Sequence, residues 1–143
     1  MKTHDIIEFL SADEMHKASL GWLRELEFIK DEHLFFEDMI TSFSLQLIQN
    51  KGFEQNVEII DVINASQKRN NSLIKIIKKH DKNLRLLVDG IDQIKEETVY
   101  KQEHRNLIEV INEHLKEYKS LKTQLFAIIK GVIKKEKQKK LMA

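Results

Sequence analysis

The chain has 143 residues with no cysteine, no proline and only four glycines, and 33% of its residues are charged, for a net charge of +1. The lack of cysteine excludes disulfides, thiolate metal sites and cysteine nucleophiles, and the scarcity of proline and glycine favours an almost wholly helical protein. We expect a single domain over residues 1–143, because a chain of this length can bury a substantial core without cross-links.

A seven-residue repeat of apolar side chains predicts a first long helix over residues 12–49. This spacing is typical of a helix packed lengthwise against other helices. The repeat is formed by Met15, Trp22, Ile29, Phe36 and Phe43. Ser11 and Glu14 match the capping box, in which each side chain accepts a hydrogen bond from a free backbone N–H group, so the helix should begin at Ala12.

Two further helices are predicted over residues 53–96 and 98–137. The sequence Asn-Lys-Gly at residues 50–52 predicts the first turn, because asparagine and glycine adopt the left-handed conformation that ends helices. The second turn has two alternative positions, at Gly90 or near Glu97. We favour the later one, since an interior glycine costs only about 1 kcal/mol and burial of two more isoleucines contributes about 1.5 to 3 kcal/mol each.

Three long helices joined by short turns favour an all-α, antiparallel up-down-up bundle. The alternative is a four-helix bundle, formed if the second helix breaks at residues 79–83 or if the residues before Ser11 form a longer helix. The apolar surface of the first helix is wider than two neighbouring helices require. We therefore expect a homodimer or another protein partner, bound through Leu34, Phe35 or Leu45.

Charge is distributed unevenly along the chain. Residues 1–65 carry 5 basic and 13 acidic side chains, and residues 66–143 carry 19 and 10. We interpret this as an acidic first helix beside two basic helices, and the alternative is a basic surface for nucleic acid or anionic lipid. No recognition motif accompanies the basic residues, so nucleic acid ranks last. The N-terminal apolar run is too short for a signal peptide or a membrane span, and we expect a cytoplasmic protein without a membrane partner.

Catalytic motifs are missing from the sequence. It contains no glycine-rich phosphate loop, no nucleophile elbow and no His-Glu-x-x-His zinc helix. The repeated Glu-x-x-His pattern of ferritin-type diiron bundles is also missing. We therefore expect neither enzyme activity nor a cofactor.

Polar residues interrupt the apolar faces of all three predicted helices. A first turn near Lys51 would put His33 opposite Asn70. Our first interpretation is a buried, hydrogen-bonded layer that fixes helix register, as a core asparagine does in a coiled coil. The residues assigned to this layer are His33, Gln67, Asn70, Asn71 and His104.

The position of the second turn decides the partner of His114. A turn near Glu97 would put His114 opposite Asp81 and beside His80, whereas the earlier turn would move it toward Asn70 and His33. The first arrangement suggests a zinc or iron site as the alternative, because neutral imidazole and carboxylate are good ligands for these metals. The candidate metal ligands are His80, His114, Glu25, Asp81 and Glu117.

The sequence as a whole predicts a non-catalytic cytoplasmic helical bundle that acts as an interaction or scaffold protein. The alternative is a metal-binding or metal-sensing bundle. If His80 and His114 are buried without a counter-charge, they should be held neutral, with a pKa below the usual value of about 6.5.

Overall fold

Three helices account for nearly all of the structure. The computed structural model describes residues 11–43, 45–46, 53–88 and 94–142. The helices are α1 (Ala12–Ser42), α2 (Phe53–Val88) and α3 (Ile94–Met142). No strand occurs in the four described segments. The expected all-α class is confirmed, and the described residues contain the three expected long helices.

The start of α1 is fixed by the predicted N-cap. The Ser11 hydroxyl oxygen accepts a hydrogen bond from the Glu14 backbone N–H over 3.1 Å. Asp13 and Glu14 lie in the first turn, where their negative charges interact favourably with the positive end of the helix dipole. The prediction that this helix begins at Ala12 is confirmed.

The end of α1 lies earlier than predicted. The helix ends at Ser42, with Phe43 as its C-cap, rather than near Gln49. The Thr41 hydroxyl donates to the Glu37 carbonyl over 2.9 Å, and such a side-chain bond competes with the helical backbone. Threonine and serine also have lower helix propensity than the leucines and charged residues before them. The predicted turn at residues 50–52 lies outside the described residues.

The boundary between α2 and α3 also corrects the prediction. α2 ends at Val88, and α3 begins at Ile94, so the second helix does not continue to about Glu97. The acidic first turn of α3 includes Glu97, whose charge suits a helix N-terminus. Tyr100, which is buried in the core, lies in the second turn of α3. Gly90 itself lies outside the described residues.

Side-chain contacts give the register between the helices. The α1 to α2 pairs are His16 with Asp81, Leu26 with Asn70 and His33 with Ser66. The α2 to α3 pairs include Asn70 with His114 and His80 with His104. In both of these helix pairs, partner numbers fall on one helix as they rise on the other, whereas between α1 and α3 they rise together, as in Trp22 with His104 and Phe36 with Phe126. A three-helix bundle fits these contacts.

Two apolar clusters form the core. The larger cluster extends along all three helices and includes Leu26, Phe36, Ile77, Ile111 and Leu125. The smaller cluster joins Met15 of α1, Leu84 of α2 and Tyr100 of α3. Burying each such side chain contributes about 1.5 to 3 kcal/mol, so these clusters supply most of the driving force for folding. Polar side chains, among them His33 and Asn70, are also buried in this core.

The outward faces of the helices are charged. Lys17 lies 3.0 Å from Asp13, and Lys101 lies 3.2 Å from Glu97, each pair one turn apart on its helix. Pairs of this kind contribute about 0.3 to 0.5 kcal/mol. Within the described segments, no helix is both long enough and apolar enough to cross a membrane.

Replacement of Gly21 by alanine should stabilise the protein. Gly21 lies inside α1, and an added Cβ atom would meet no heavy atom within 4 Å. Alanine restricts the unfolded chain and favours the helix, so Gly21→Ala should raise the free energy of unfolding by about 1 kcal/mol, measured by urea denaturation. Gly131→Ala in α3, with the same open surroundings, should behave alike. A loss of stability in both variants would contradict these helix assignments.

Candidate functional site

Four histidines are buried in the core, each at most 1% exposed. They are His33 of α1, His80 of α2, and His104 and His114 of α3. All four occupy positions on the apolar face of their helix, which is why the helical repeat carries them inward. They lie in three groups, which we name after one member of each: the Asn70 layer, the His33 layer and the His80 layer.

The Asn70 layer joins all three helices through one side chain, and it comprises Leu26, Asn70 and His114 with Arg69 and Glu117. Asn70 Nδ2 donates to the Leu26 carbonyl of α1 over 2.9 Å. Its Oδ1 lies 2.9 Å from His114 Nε2 of α3. Both bonds are buried, where an amide or imidazole left without a partner costs about 1 to 3 kcal/mol. This layer therefore penalises any sliding of one helix along another.

Arg69 determines the protonation state of His114. Its Nε donates to His114 Nδ1 over 3.2 Å. Arginine remains protonated, so Nδ1 must accept and Nε2 must carry the hydrogen that is donated to Asn70. Burial, followed by the positive charge of Arg69, lowers the pKa of His114 to about 4. The Arg69 guanidinium in turn lies 2.9 Å from the Glu117 carboxylate.

The His33 layer lies one helical turn from the Asn70 layer and comprises His33, Ser66, Tyr118, Glu32 and Lys122. His33 Nε2 and the Ser66 hydroxyl are 3.0 Å apart. The Tyr118 ring meets the imidazole edge-on, with centroids 5.1 Å apart, and its hydroxyl donates to Glu32 over 3.1 Å. Lys122 completes the layer, 2.6 Å from the Glu32 carboxylate. Burial lowers the pKa of His33, and the charge of Glu32 opposes this.

The His80 layer comprises His80, His104, Glu103, Tyr100 and Trp22. His80 Nε2 lies 3.0 Å from His104 Nδ1, so one ring must donate while the other accepts. Tyr100 stacks on His80 at 4.1 Å between ring centroids, with planes 4° apart. Trp22 covers His104 at 4.9 Å. The imidazole pair is thus enclosed between two aromatic side chains.

Both imidazoles of the His80 layer are held toward the neutral form. Burial lowers the pKa of His80, although the nearby Glu103 carboxylate, 3.2 Å from Nδ1, opposes this. Burial and then the adjacent His80 lower the pKa of His104 to about 4. His104 Nε2 has no hydrogen-bond partner among the described residues. Protonating His104 therefore places charge where little compensates for it, whereas charge on His80 would be partly compensated by Glu103.

A groove of about 460 Å³ between α2 and α3 borders the His80 layer, and its lining includes Tyr100 and Glu103. The Glu103 side chain is 44% exposed, while His80 beside it is fully buried. The carboxylate of Glu103 therefore stands between solvent and the imidazole pair.

No relative identifies these layers. Comparison of the chain with protein-family models, curated proteins and solved structures finds no match. The function must therefore be inferred from the chemistry of the residues themselves.

The predicted pairing of His33 with Asn70 is wrong by one helical turn. His33 contacts Ser66, which lies four residues before Asn70 on α2. The prediction assumed that α1 continued to Gln49, and the earlier end of α1 moves the partner residues. Likewise His114 meets Asn70 rather than Asp81, as the alternative turn at Gly90 predicts.

The residues assigned to a buried layer are only partly buried together. His33, Asn70 and His104 lie in the core, whereas Gln67 and Asn71 are half-buried at its edge. The Asn71 side-chain oxygen is enclosed without a partner among the described residues, and Asn71 joins none of the three layers. Each of these two residues follows a buried residue of α2, Ser66 or Asn70, and lies at the edge of the core rather than inside it.

Ser66, Arg69 and Tyr118 are among the members of the layers that sequence reasoning missed. Ser66, Arg69 and Tyr118 each make a hydrogen bond to, or an aromatic contact with, a buried imidazole. Ser66 lies one turn before Asn70 on the same face of α2. A predicted register shifted by one turn would have placed Ser66 opposite His33. Arg69 reaches His114 only through its long side chain, and no spacing rule predicts that contact.

The two central metal candidates do not lie together. His114 contacts Asn70, which is ten residues from His80 on α2, a separation of about 15 Å along the helix. His80 instead contacts His104. A single ion, with ligand bonds of about 2 Å, cannot bind both His80 and His114 in this arrangement.

The three candidate carboxylates are also elsewhere. Asp81 lies 2.6 Å from His16, and Glu117 pairs with Arg69. Glu25 is exposed on α1. Among the residues that the structure describes, no group of three or more histidine, aspartate or glutamate side chains is placed to hold a metal ion.

Loss of the Asn70 amide should destabilise the fold by leaving His114 without its acceptor. We expect Asn70→Leu to lower the free energy of unfolding by about 1 to 3 kcal/mol in urea denaturation. Replacing both partners, in Asn70→Leu with His114→Leu, should recover much of this loss, because the buried imidazole that lacked an acceptor is then absent and the Arg69 side chain, which is 45% exposed, can bond to water.

The matched control for this experiment is Asn64→Leu, on the exposed face of α2. Its effect should stay within about 0.5 kcal/mol of zero. Equal losses for Asn70→Leu and Asn64→Leu, or a double variant as unstable as the sum of its parts, would contradict the proposed bridging role.

Stability should fall as the pH falls below about 6.5. His104 and His114 have folded pKa values of about 4, below the unfolded value of 6.5, so the unfolded chain takes up protons first. Their contribution is complete above about pH 6.5 and is lost as the pH approaches 4. The loss should be on the order of 3 kcal/mol for each histidine.

Urea denaturation at several pH values, for the wild type and for the His104→Gln, His114→Gln double variant, measures this loss. The variant should have a flatter dependence between about pH 6.5 and pH 4, whatever its stability at neutral pH. Parallel profiles for the two proteins would mean that neither imidazole is held neutral by the core.

Proposed function

We propose that this protein is a non-catalytic interaction or scaffold module whose three helices form an antiparallel up-down-up bundle. The order of the contacts between helices supports the antiparallel arrangement, because the residue numbers of contacting partners run in opposite directions between α1 and α2 and between α2 and α3. We also propose a cytoplasmic location, which the lack of cysteine allows.

The observation that carries the proposal is a group of exposed phenylalanines, which we call the aromatic surface: Phe28 and Phe35 of α1 and Phe126 of α3. Their exposed fractions are 61%, 51% and 48%. Phe28 and Phe35 are seven residues apart and lie on one side of α1. Phe126 approaches from α3, since its ring contacts the buried Phe36, which also contacts Phe35. Exposed large apolar side chains grouped on one side of a protein favour an interaction site.

The interior supports a non-catalytic function. The imidazoles that could act as acids or bases are directed inward and have partners across the helices, as His114 has in Asn70 and His33 has in Ser66. A catalytic base must reach a substrate proton over about 2.6 to 3.2 Å, and fully buried rings do not meet that requirement. Buried polar layers of this type specify helix register instead.

Only one of the three residues predicted for association belongs to the aromatic surface. Leu34, Phe35 and Leu45 are all exposed. However, Leu34 is one residue from Phe35 and so lies about 100° away around the helix. We therefore assign the interaction to the side of α1 that carries Phe28 and Phe35, next to α3.

The proposal predicts that the exposed phenylalanines contribute little to folding. Phe28→Ser and Phe35→Ser should each lower the free energy of unfolding by less than about 1 kcal/mol, since serine and phenylalanine have similar helix propensity and these rings are largely solvated. Phe36→Ser, at the fully buried neighbouring position, should lower it by about 3 to 5 kcal/mol. Urea denaturation compares the three variants.

Losses for Phe28→Ser and Phe35→Ser as large as that for Phe36→Ser would assign the aromatic surface to the fold and contradict the proposal. Elemental analysis of the purified, tag-free protein provides a second check. Stoichiometric zinc or iron that disappears in His80→Gln would instead support the metal-binding alternative.

A further inference from the structure

We propose that the aromatic surface binds an anionic lipid bilayer, with its phenylalanines inserted among the lipid headgroups and a neighbouring row of lysines on α3 bound to the negative charges of those headgroups. This inference rests on the proposed interaction function and names its partner. It follows from the residues that share the side of α3 on which Phe126 lies.

The side of α3 that carries Phe126 is basic. With a rotation of about 100° per residue, the exposed residues of 119–142 that lie within about 40° of Phe126 are lysines and one isoleucine. They are Lys119, Lys130, Ile133, Lys137 and Lys140. We call the four lysines the basic stripe. Glu136, the one acidic residue of 119–142, lies about 80° from Phe126 around the helix and 3.6 Å from Lys139.

Apolar and basic side chains alternate along this side of α3. Lys130 lies between Phe126 and Ile133, and Lys137 follows four residues after Ile133. Both apolar residues are exposed. Long lysine side chains can extend past apolar neighbours and keep their charge among the headgroups while the apolar groups lie deeper. Protein interfaces usually separate an apolar centre from a polar rim, so the alternation favours a lipid surface.

Phe28 and Phe35 of α1 extend the same surface beside α3. Lys122 of α3 lies 2.6 Å from Glu32 and 6.0 Å from the Phe28 ring centroid, which identifies the side of α1 that faces α3. Arg24 is exposed and lies in line with the two phenylalanines, four residues before Phe28. The aromatic surface therefore has basic side chains next to it on both helices.

The acidic residues of α1 lie away from the basic stripe. Asp31 and Asp38 are about 100 to 120° from Glu32 around the helix, on the side of α1 that is turned away from α3. Glu25 lies ten residues before Phe35, a distance of about 15 Å along the helix. The attraction for anionic lipid therefore comes mainly from α3, and α1 supplies apolar area.

Nucleic acid, another polyanion that a basic surface can bind, fits these side chains less well. Single-stranded nucleic acid stacks its bases on open aromatic faces. Here Lys122 lies over the Phe28 ring, and the Phe126 ring meets Phe36 edge-on at 5.3 Å between centroids. Ile133 offers no ring at all. These side chains present apolar bulk, which a bilayer can bury.

The apolar area suits contact at the bilayer surface. A phenylalanine has about 150 to 250 Å² of surface, so three of them that are about half exposed offer roughly 300 Å². Binding at a bilayer surface strengthens with the apolar area inserted and with the attraction to anionic lipid. Such contact needs no helix that crosses the membrane, and it revises the expectation of a protein without a membrane partner.

Co-sedimentation of the full chain with lipid vesicles tests the inference. Mixed vesicles of phosphatidylcholine and phosphatidylserine should bind the protein about tenfold or more tightly than vesicles of phosphatidylcholine alone, and added salt should weaken the binding. Lys130→Glu with Lys137→Glu should weaken binding to the mixed vesicles about tenfold or more, because each lysine near an anionic bilayer contributes roughly fivefold. The salt dependence of binding should also decrease in this variant.

The matched control is Lys75→Glu with Lys82→Glu on α2. Both lysines are exposed, and the pair has the same spacing and the same change of charge as the pair on the basic stripe. Because these lysines do not border the aromatic surface, their reversal should change binding to the mixed vesicles by about twofold or less.

A second pair of variants measures the apolar contribution. Phe35→Ser with Phe126→Ser should weaken binding to the mixed vesicles about tenfold but leave its salt dependence as in the wild type, because salt does not screen the burial of apolar surface. Ile76→Ser, at an exposed position of α2, should bind as the wild type does. Urea denaturation checks that each variant is folded under the conditions of the assay.

Equal binding of the wild type to the two kinds of vesicle would overturn the inference. So would equal effects of the two lysine pairs, or unchanged binding in Phe35→Ser with Phe126→Ser. Displacement of the protein from the mixed vesicles by single-stranded DNA at an equal concentration of phosphate groups would assign the surface to nucleic acid instead. The unfolding comparison of Phe28→Ser with Phe36→Ser involves no lipid, so a failure here leaves the proposed interaction function standing.

Discussion

The Asn70 side chain holds a hydrogen bond to each of the other two helices at once, to the Leu26 carbonyl and to His114. Apolar side chains such as Ile77 and Ile111 pack almost equally well after a shift of one turn, because their contacts have no direction. The bonds of Asn70 have direction and length, and both would be lost in such a shift. The register of the bundle therefore depends on this amide more than on the larger apolar clusters.

The need for directional hydrogen bonds in the core also explains why the partner of Asn70 is a histidine. A neutral imidazole is both a donor and an acceptor on one rigid ring, so His114 can bind Asn70 on one side and Arg69 on the other. In the His80 layer, two such rings bind each other. The fold obtains directional bonds without burying a permanent charge, and its dependence on neutral imidazoles makes it sensitive to acid.

The sequence repeat predicts the helices and their inward faces because periodicity needs only local information. It places His33, His80, His104 and His114 in the core correctly. The pairing of residues between helices depends on where each turn lies, and the second turn was predicted too late, because α2 ends at Val88 and α3 begins at Ile94. α1 ends at Ser42, although the apolar repeat continues to Phe43 and Leu47. Near Gly90, the cost of a glycine inside a helix and the gain from burying two more isoleucines differ by only a few kcal/mol. A difference of this size is too small for a sequence argument to resolve.

The length of α3 separates positive from negative charge and so gives the molecule a dipole moment. Val132 is the last buried residue of this helix, and ten more residues continue to Met142, about 15 Å beyond the core. These residues carry five lysines against one glutamate, while α1 carries the acidic excess. The packed part of α3 supports the helix beyond the core, because adding residues to an existing helix costs less than starting one. The helix therefore holds these positive charges at a distance from the acidic residues of α1. The resulting dipole would turn the protein as it approaches a charged body, so that the tip of α3 meets anionic surfaces first.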